Sequence, residues 1–238
     1  MKLYDNLIDS TMESLSDREV VRVAYDSVRA WKCLEDSEFI MQRDAGTDLG
    51  GSGNPSVNYT CVTTSGKVTE DEILICGTDI RKIEKDTAFA RIVILETEDL
   101  GEDVDQEKAF QAIRNLEFVR YHVFPEGYMV RVSSQSNQEQ VRISRDAIRR
   151  GIDFAKVGAS YIKKYKEAGL VRHVRIIFIT RKDIVEALLP NANKVDLITK
   201  TLTHILDGMP TDCGHCSMKP VCDEVEGMKE LHLGKRRV

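Results

Sequence analysis

The chain has 238 residues, 42% hydrophobic and 31% charged, with a formal net charge of -5. That is the mixture of a soluble globular protein long enough to bury a proper core, as one large domain or two small ones. It excludes a membrane span, because no apolar run is long enough, and Met1-Lys-Leu-Tyr-Asp-Asn has no apolar core for a secretion signal, so a cytoplasmic, reducing location is expected.

In chain order, Leu3, Leu7, Ile8, Met12 and Leu15 recur at helical spacing. Residues 20–24 are apolar and β-branched but broken by Arg22, and leave helix and strand both open. Asp48 to Pro55 is a glycine-rich loop without the Gly-Lys-Ser/Thr of a phosphate-binding loop, and reads as a hairpin connection. Residues 57–64 and 73–76 read as strands linked through Ser65-Gly66, and 92–95 as a short central strand. An acidic stretch leads into a helix over 107–116, and 128–132 alternates as a strand that 140–143 continues after a polar turn. Ser144 is a helix N-cap with Gly151 as the stop. A second helix follows Asp153, with Phe154, Val157, Tyr161, Ile162 and Tyr165 on one stripe. Residues 174–180 form a buried strand, 182–189 a helix broken at Pro190, and 194–206 the last long helix. Strands gather early and helices late, so the expected class is α+β: a mixed sheet with helices packed on it and a helix-rich C-terminal part. The expected organisation is one α+β unit over 1–208 and a Cys-rich tail over 209–238.

Charge divides that unit. Residues 1–111 hold 12 Lys and Arg against 24 Asp and Glu, whereas 141–182 hold 12 against 3. The basic part reads as solvated helix faces or as an anion-binding face for a phosphorylated cofactor or an acidic partner. No aromatic residues interleave with the cations as base-stacking platforms would, so nucleic acid is not expected. Trp31, the single tryptophan, reads as a packing residue.

The strongest chemical signal is Cys213-Gly-His-Cys216, with Cys222 six residues on. This C-x2-C-x5-C spacing lets two thiolates reach one ion or cluster and a loop bring in the third. Four readings fit: an iron–sulfur cluster, a tetrahedral zinc with His215, His232 or one distant cysteine as the fourth ligand, a redox dithiol, or reduced thiols that bind nothing. Cys33, Cys61 and Cys76 are scattered and read as small buried apolar residues.

Several stretches carry a family resemblance. Ile75-Cys-Gly-Thr-Asp-Ile80, the apolar run from Ile92 to Leu95, an acidic stretch into a helix, Glu126-Gly127, Val141-Arg-Ile-Ser-Arg-Asp-Ala147 and the strand ending at Thr180 occur in one order. That ordered set, over about 73–182, resembles the central part of the acetyl-CoA synthase subunit of carbon monoxide dehydrogenase/acetyl-CoA synthase. The resemblance implies anaerobic one-carbon metabolism and an iron–sulfur cluster, of the 4Fe–4S kind, on Cys213, Cys216 and Cys222, with zinc as the alternative metal. It implies that Arg142, Arg145, Arg149 and Arg150 meet the phosphates of coenzyme A. It implies a partner subunit of that complex, or a corrinoid protein, as the binding partner. The family's fourth cluster cysteine and its nickel-holding C-G-C pair have no counterpart here. The expectation is therefore an accessory or partial relative rather than a complete synthase, with a non-catalytic module pinned by structural zinc as the alternative.

Overall fold

The computed structural model describes residues 3–32, 45–51, 53–98, 106–123, 125, 130–135, 137–207, 215 and 219. Eight strands and six helices lie within them: α1 (Asp5–Glu13), β1 (Val21–Ala24), β2 (Ala45–Leu49), β3 (Ser56–Thr63), β4 (Glu72–Cys76), β5 (Phe89–Thr97), α2 (Gln106–Val119), β6 (Val130–Gln135), β7 (Gln138–Ser144), α3 (Arg145–Arg149), α4 (Phe154–Lys166), β8 (Val171–Ile179), α5 (Lys182–Ala187) and α6 (Leu189–Leu206). The α+β class with a mixed sheet is as expected from sequence.

Two sheets form. The larger has the order β1-β4-β8-β5-β3, with β4 parallel to β8, β5 parallel to β3, and antiparallel contacts between β1 and β4 and between β8 and β5. The smaller is antiparallel, in the order β2-β7-β6. All residues of β3, β4 and β5 are buried, which is why 73–76 and 92–95 read as apolar runs without alternation, whereas β3 buries Asn58, Thr60 and Thr63 among its apolar residues.

Helices cover the large sheet on both sides. Tyr59 of β3 points to one face, where its hydroxyl shares a 2.8 Å hydrogen bond with Thr11 of α1, and Asn191 of α6 adds a 3.4 Å bond to Thr11. Asn58 points to the opposite face, toward Arg91 of β5, whose guanidinium donates to the Tyr161 hydroxyl of α4. Helix α4 approaches so closely that a Cβ on Gly158 would sit 2.7 Å from Cγ1 of Ile73. At the far end of β3, Glu96 takes the N–H groups of Gly66 and Val68 at 2.8 and 3.3 Å and fixes the turn into β4.

Several local expectations need correction. The loop after Asp48 is not a hairpin: β2 belongs to the small sheet and β3 to the large one, so the chain changes sheets there. The strands on either side of Ser65-Gly66 are chain neighbours but lie at separate positions in the sheet. The helix expected over 182–189 does end ahead of Pro190, at Ala187, but the last helix starts at Leu189 and not at 194. Pro190 lies in the first turn of α6, where the missing N–H has no intrahelical partner to lose. The ambiguous residues 21–24 are a strand. Cys61 and Cys76 are buried as expected. Cys33, Glu126-Gly127 and the residues closing the last helix lie outside the described residues.

The two sheets are joined by buried polar contacts. Arg91 Nη2 of β5 meets Glu139 Oε2 of β7 at 2.6 Å, and each side chain is 1% exposed. Glu139 also donates its main-chain N–H to Ser56 Oγ at 3.1 Å, and the Asn58 N–H reaches the Asn137 carbonyl at 2.7 Å. A buried ion pair repays its desolvation only while both charges remain. Glu139→Ala strands a guanidinium in the core and is expected to cost about 3–5 kcal/mol in denaturant unfolding, whereas Arg91→Met with Glu139→Leu recovers most of that loss. A single variant as stable as the parent would show that the pair does not hold the sheets together.

Candidate anion-binding site

The basic segment begins at the end of β7. Ser144 Oγ accepts the Ala147 N–H at 2.9 Å and starts α3. Ala147 is buried, which turns Arg145 and Arg149, four residues apart on one side of the helix, to solvent. Gly151, at φ +87°, ends the turn in the left-handed region that favours glycine. Asp153 then caps α4 by accepting the Lys156 N–H at 2.8 Å.

A second capping carboxylate comes from far away in sequence. Asp79 Oδ1 accepts the N–H of Ile80 at 2.7 Å and that of Phe154, the first residue of α4, at 3.0 Å. The Gly-Thr-Asp-Ile stretch is thus the peg on which α4 is hung. Arg81, two residues on, donates to the Gly151 carbonyl and lies 3.1 Å from Asp153 Oδ2. Lys156 Nζ donates to the same carbonyl at 2.9 Å.

Trp31 completes the cluster. The Arg150 guanidinium lies 5.5 Å and the Lys156 ammonium 5.0 Å from its ring centroid, and Ser160 Oγ donates to its main-chain carbonyl at 2.9 Å. Cations over an indole face are attracted by its quadrupole. Trp31 does pack, as expected, but it packs against charge. Arg150 Nε also meets Asp146 Oδ2 at 2.7 Å, and Arg149 lies 3.9 Å from the same carboxylate with 73% of its side chain exposed.

The structure therefore gathers Arg145, Arg149 and Arg150 but sets Arg142 apart. Arg142 forms a two-pronged fork with Asp48 across β7 and β2, at 2.7 and 3.1 Å, and that carboxylate raises its pKa. Its charge is used inside the small sheet. In its place come Arg81 and Lys156, which no local motif marks, since Arg81 is 70 residues from Gly151. Five cations (Arg81, Arg145, Arg149, Arg150 and Lys156) share this end of the molecule with Asp79, Asp146 and Asp153, which leaves an excess of positive charge suited to an anion.

Cys213, Cys216 and Cys222, and with them His232, lie outside the described residues. His215, between the paired cysteines, is exposed. Among the described residues no group of three or more His, Cys, Asp or Glu is placed to hold a metal, and no helix is long and apolar enough to cross a membrane.

Residues 32–185 match the family model of the CO dehydrogenase/acetyl-CoA synthase complex beta subunit. The chain belongs to this family. The matched span takes in β2 to β8, α2 to α4 and all five clustered cations but not Trp31, and stops short of Cys213, Cys216 and Cys222. The chain is also similar to the carbon monoxide dehydrogenase/acetyl-CoA synthase subunit alpha of Moorella thermoacetica, at 21% identity over 179 residues, which are 74% of this chain and 24% of that relative. It spans about a quarter of the relative's length.

Asp79 offers a direct test of how the family segment builds this face. Asp79→Ala leaves two N–H groups without their acceptor and is expected to lower unfolding stability by about 1–3 kcal/mol. In hydrogen exchange, the amides of the first turn of α4 should lose protection before those of β8. Equal loss in both would mean that Asp79 does not anchor the helix locally.

Proposed function

We propose that this chain is an accessory, acetyl-CoA-synthase-like module of carbon monoxide dehydrogenase/acetyl-CoA synthase chemistry that binds the phosphates of coenzyme A on the α3–α4 face. The observation that carries the reading is the exposed pair Arg145 and Arg149 on α3, which leads directly into Arg150, whose guanidinium lies with the Lys156 ammonium against the Trp31 indole. Guanidinium groups form paired, charge-assisted hydrogen bonds with phosphate oxygens, and the indole supplies a flat surface of the kind on which a purine stacks. Arg145, Arg149 and Arg150 would take the phosphates. Lys156 and Arg81, already tied to the Gly151 carbonyl, would add to the field and hold the turn in shape. Arg142 has no part in it.

The thiols of Cys213, Cys216 and Cys222 would hold an iron–sulfur cluster, for which soft thiolates at this spacing are the appropriate donors. Such a cluster supplies one-electron chemistry when bound. No nickel chemistry is proposed for these residues. The family's membership of a complex supports a partner subunit of carbon monoxide dehydrogenase/acetyl-CoA synthase, or a corrinoid protein, as the partner.

The single tryptophan makes the cofactor test direct. Coenzyme A should change Trp31 fluorescence saturably. Arg145→Glu with Arg149→Glu should weaken binding by at least ~10-fold, the scale expected for the loss of charged hydrogen bonds. Arg142→Gln should leave the titration unchanged. No response in the parent protein would end the proposal for this face.

The metal is tested separately, on full-length protein purified without oxygen. Iron and acid-labile sulfide in equal amounts, with broad visible absorption lost in Cys213→Ser, are expected. Stoichiometric zinc and no iron would make the tail a structural zinc site and the chain a non-catalytic interaction module. Neither metal would remove the cluster from the reading.

A further inference from the structure

The cations of the α3–α4 face share it with three carboxylates that serve different ends. Asp79 accepts two main-chain N–H groups, those of Ile80 and Phe154. Asp153 accepts the Lys156 N–H at 2.8 Å, and its other oxygen lies 3.1 Å from Arg81. Both are built into the start of α4. Asp146 is of another kind. It stands exposed on α3, and its carboxylate meets two side chains of the cationic row: Arg150 Nε at 2.7 Å and Arg149 Nη2 at 3.9 Å.

Arg149 and Arg150 follow Asp146 by three and four residues, the spacing at which helical side chains meet. Arg150 is held from two sides, by Asp146 at Nε and by the Trp31 ring, whose centroid lies 5.5 Å from its guanidinium. Arg149, at the longer distance, is held more loosely. Clustered cations repel one another, and a carboxylate among them relieves that repulsion. An ion pair in contact with solvent is weak, however, so a stronger anion can displace it. Phosphate is such an anion: it carries more charge than a carboxylate and offers three oxygens to the guanidinium fork.

Resting on the coenzyme A reading of this face, we propose that Asp146 is a built-in counter-anion, an autoinhibitory contact that holds Arg149 and Arg150 until a phosphate group takes them over. Its charge opposes the ligand's, so it lowers the affinity of the face and favours release. The alternative is that Asp146 only supports α3, as an acid in the first turn of a helix does. The two roles predict opposite signs. Removing a competitor tightens anion binding, whereas removing a support loosens it.

Calorimetric titration of the full chain with inorganic diphosphate separates them. Asp146→Asn keeps the shape of the side chain and removes its charge. It should bind diphosphate at least ~3-fold more tightly than the parent, the scale of a like-charge repulsion over a few ångströms near solvent. Glu13→Gln makes the same change in net charge at an exposed position of α1, on the opposite face of the large sheet, and should leave the affinity unchanged. Affinity that is unchanged or lower in Asp146→Asn overturns the proposal, and so does an equal rise in Glu13→Gln. Either result in a parent that binds coenzyme A removes the counter-anion alone, whereas a parent that binds neither ligand ends both readings. A second measurement needs no change at Asp146. The Arg150 Nε–H resonance of the parent, assigned by its loss in Arg150→Lys, should shift as diphosphate replaces the carboxylate. A resonance that stays in place at saturation also overturns the proposal.

Discussion

The arrangement of this protein rests on one buried ion pair. Arg91 and Glu139 come from different sheets, lie almost wholly out of water, and meet at 2.6 Å. Neither is tolerable alone in that position, because an unpaired charge in the core costs several kcal/mol. The pair therefore selects among ways of stacking the small sheet on the large one: only arrangements that keep the two together avoid the cost. The bonds from Asn58 to Asn137 and from Glu139 to Ser56 lie beside it and act along the same seam.

The cationic face follows from that seam. Helix α3, with Arg145 and Arg149, continues directly from β7 of the small sheet. Helix α4, with Lys156, packs on the large sheet and is pegged there by Asp79. The two meet at Gly151, and Arg81 and Lys156 both bind its carbonyl. A site so assembled has no single segment that carries it. It depends on the sheets keeping their relative position, and the Arg91–Glu139 contact resists any slip between them. Helices α1 and α6, which cover the opposite face of the large sheet, both lie outside the 32–185 span that matches the family model.

Much of the local structure was readable from residues. Ser144 and Asp153 announce their helices because a capping oxygen serves donors only two or three residues away, so the signal is local. The strand at 174–180 was legible because its buried end, Ile176 to Ile179, is an unbroken apolar run. Pro190 follows the end of one helix as expected, but the same ring is welcome in a first turn, so the next helix starts at Leu189 and not at 194. Arg142 misled for a different reason. It sits in a basic run, but its pleat position faces Asp48 across the ladder, and that pairing depends on register.

By itself the amino-acid sequence determined the class of fold, the helix starts at Ser144 and Asp153, the family and the spacing of Cys213, Cys216 and Cys222, since each of these is written in short-range pattern or in the order of motifs. Only the tertiary structure decided that Arg81, Trp31 and Lys156 share a site with Arg149 and Arg150, and that Arg142 does not. Contacts across seventy or more residues are set by which faces must be buried together, and a linear chain carries no local mark of them.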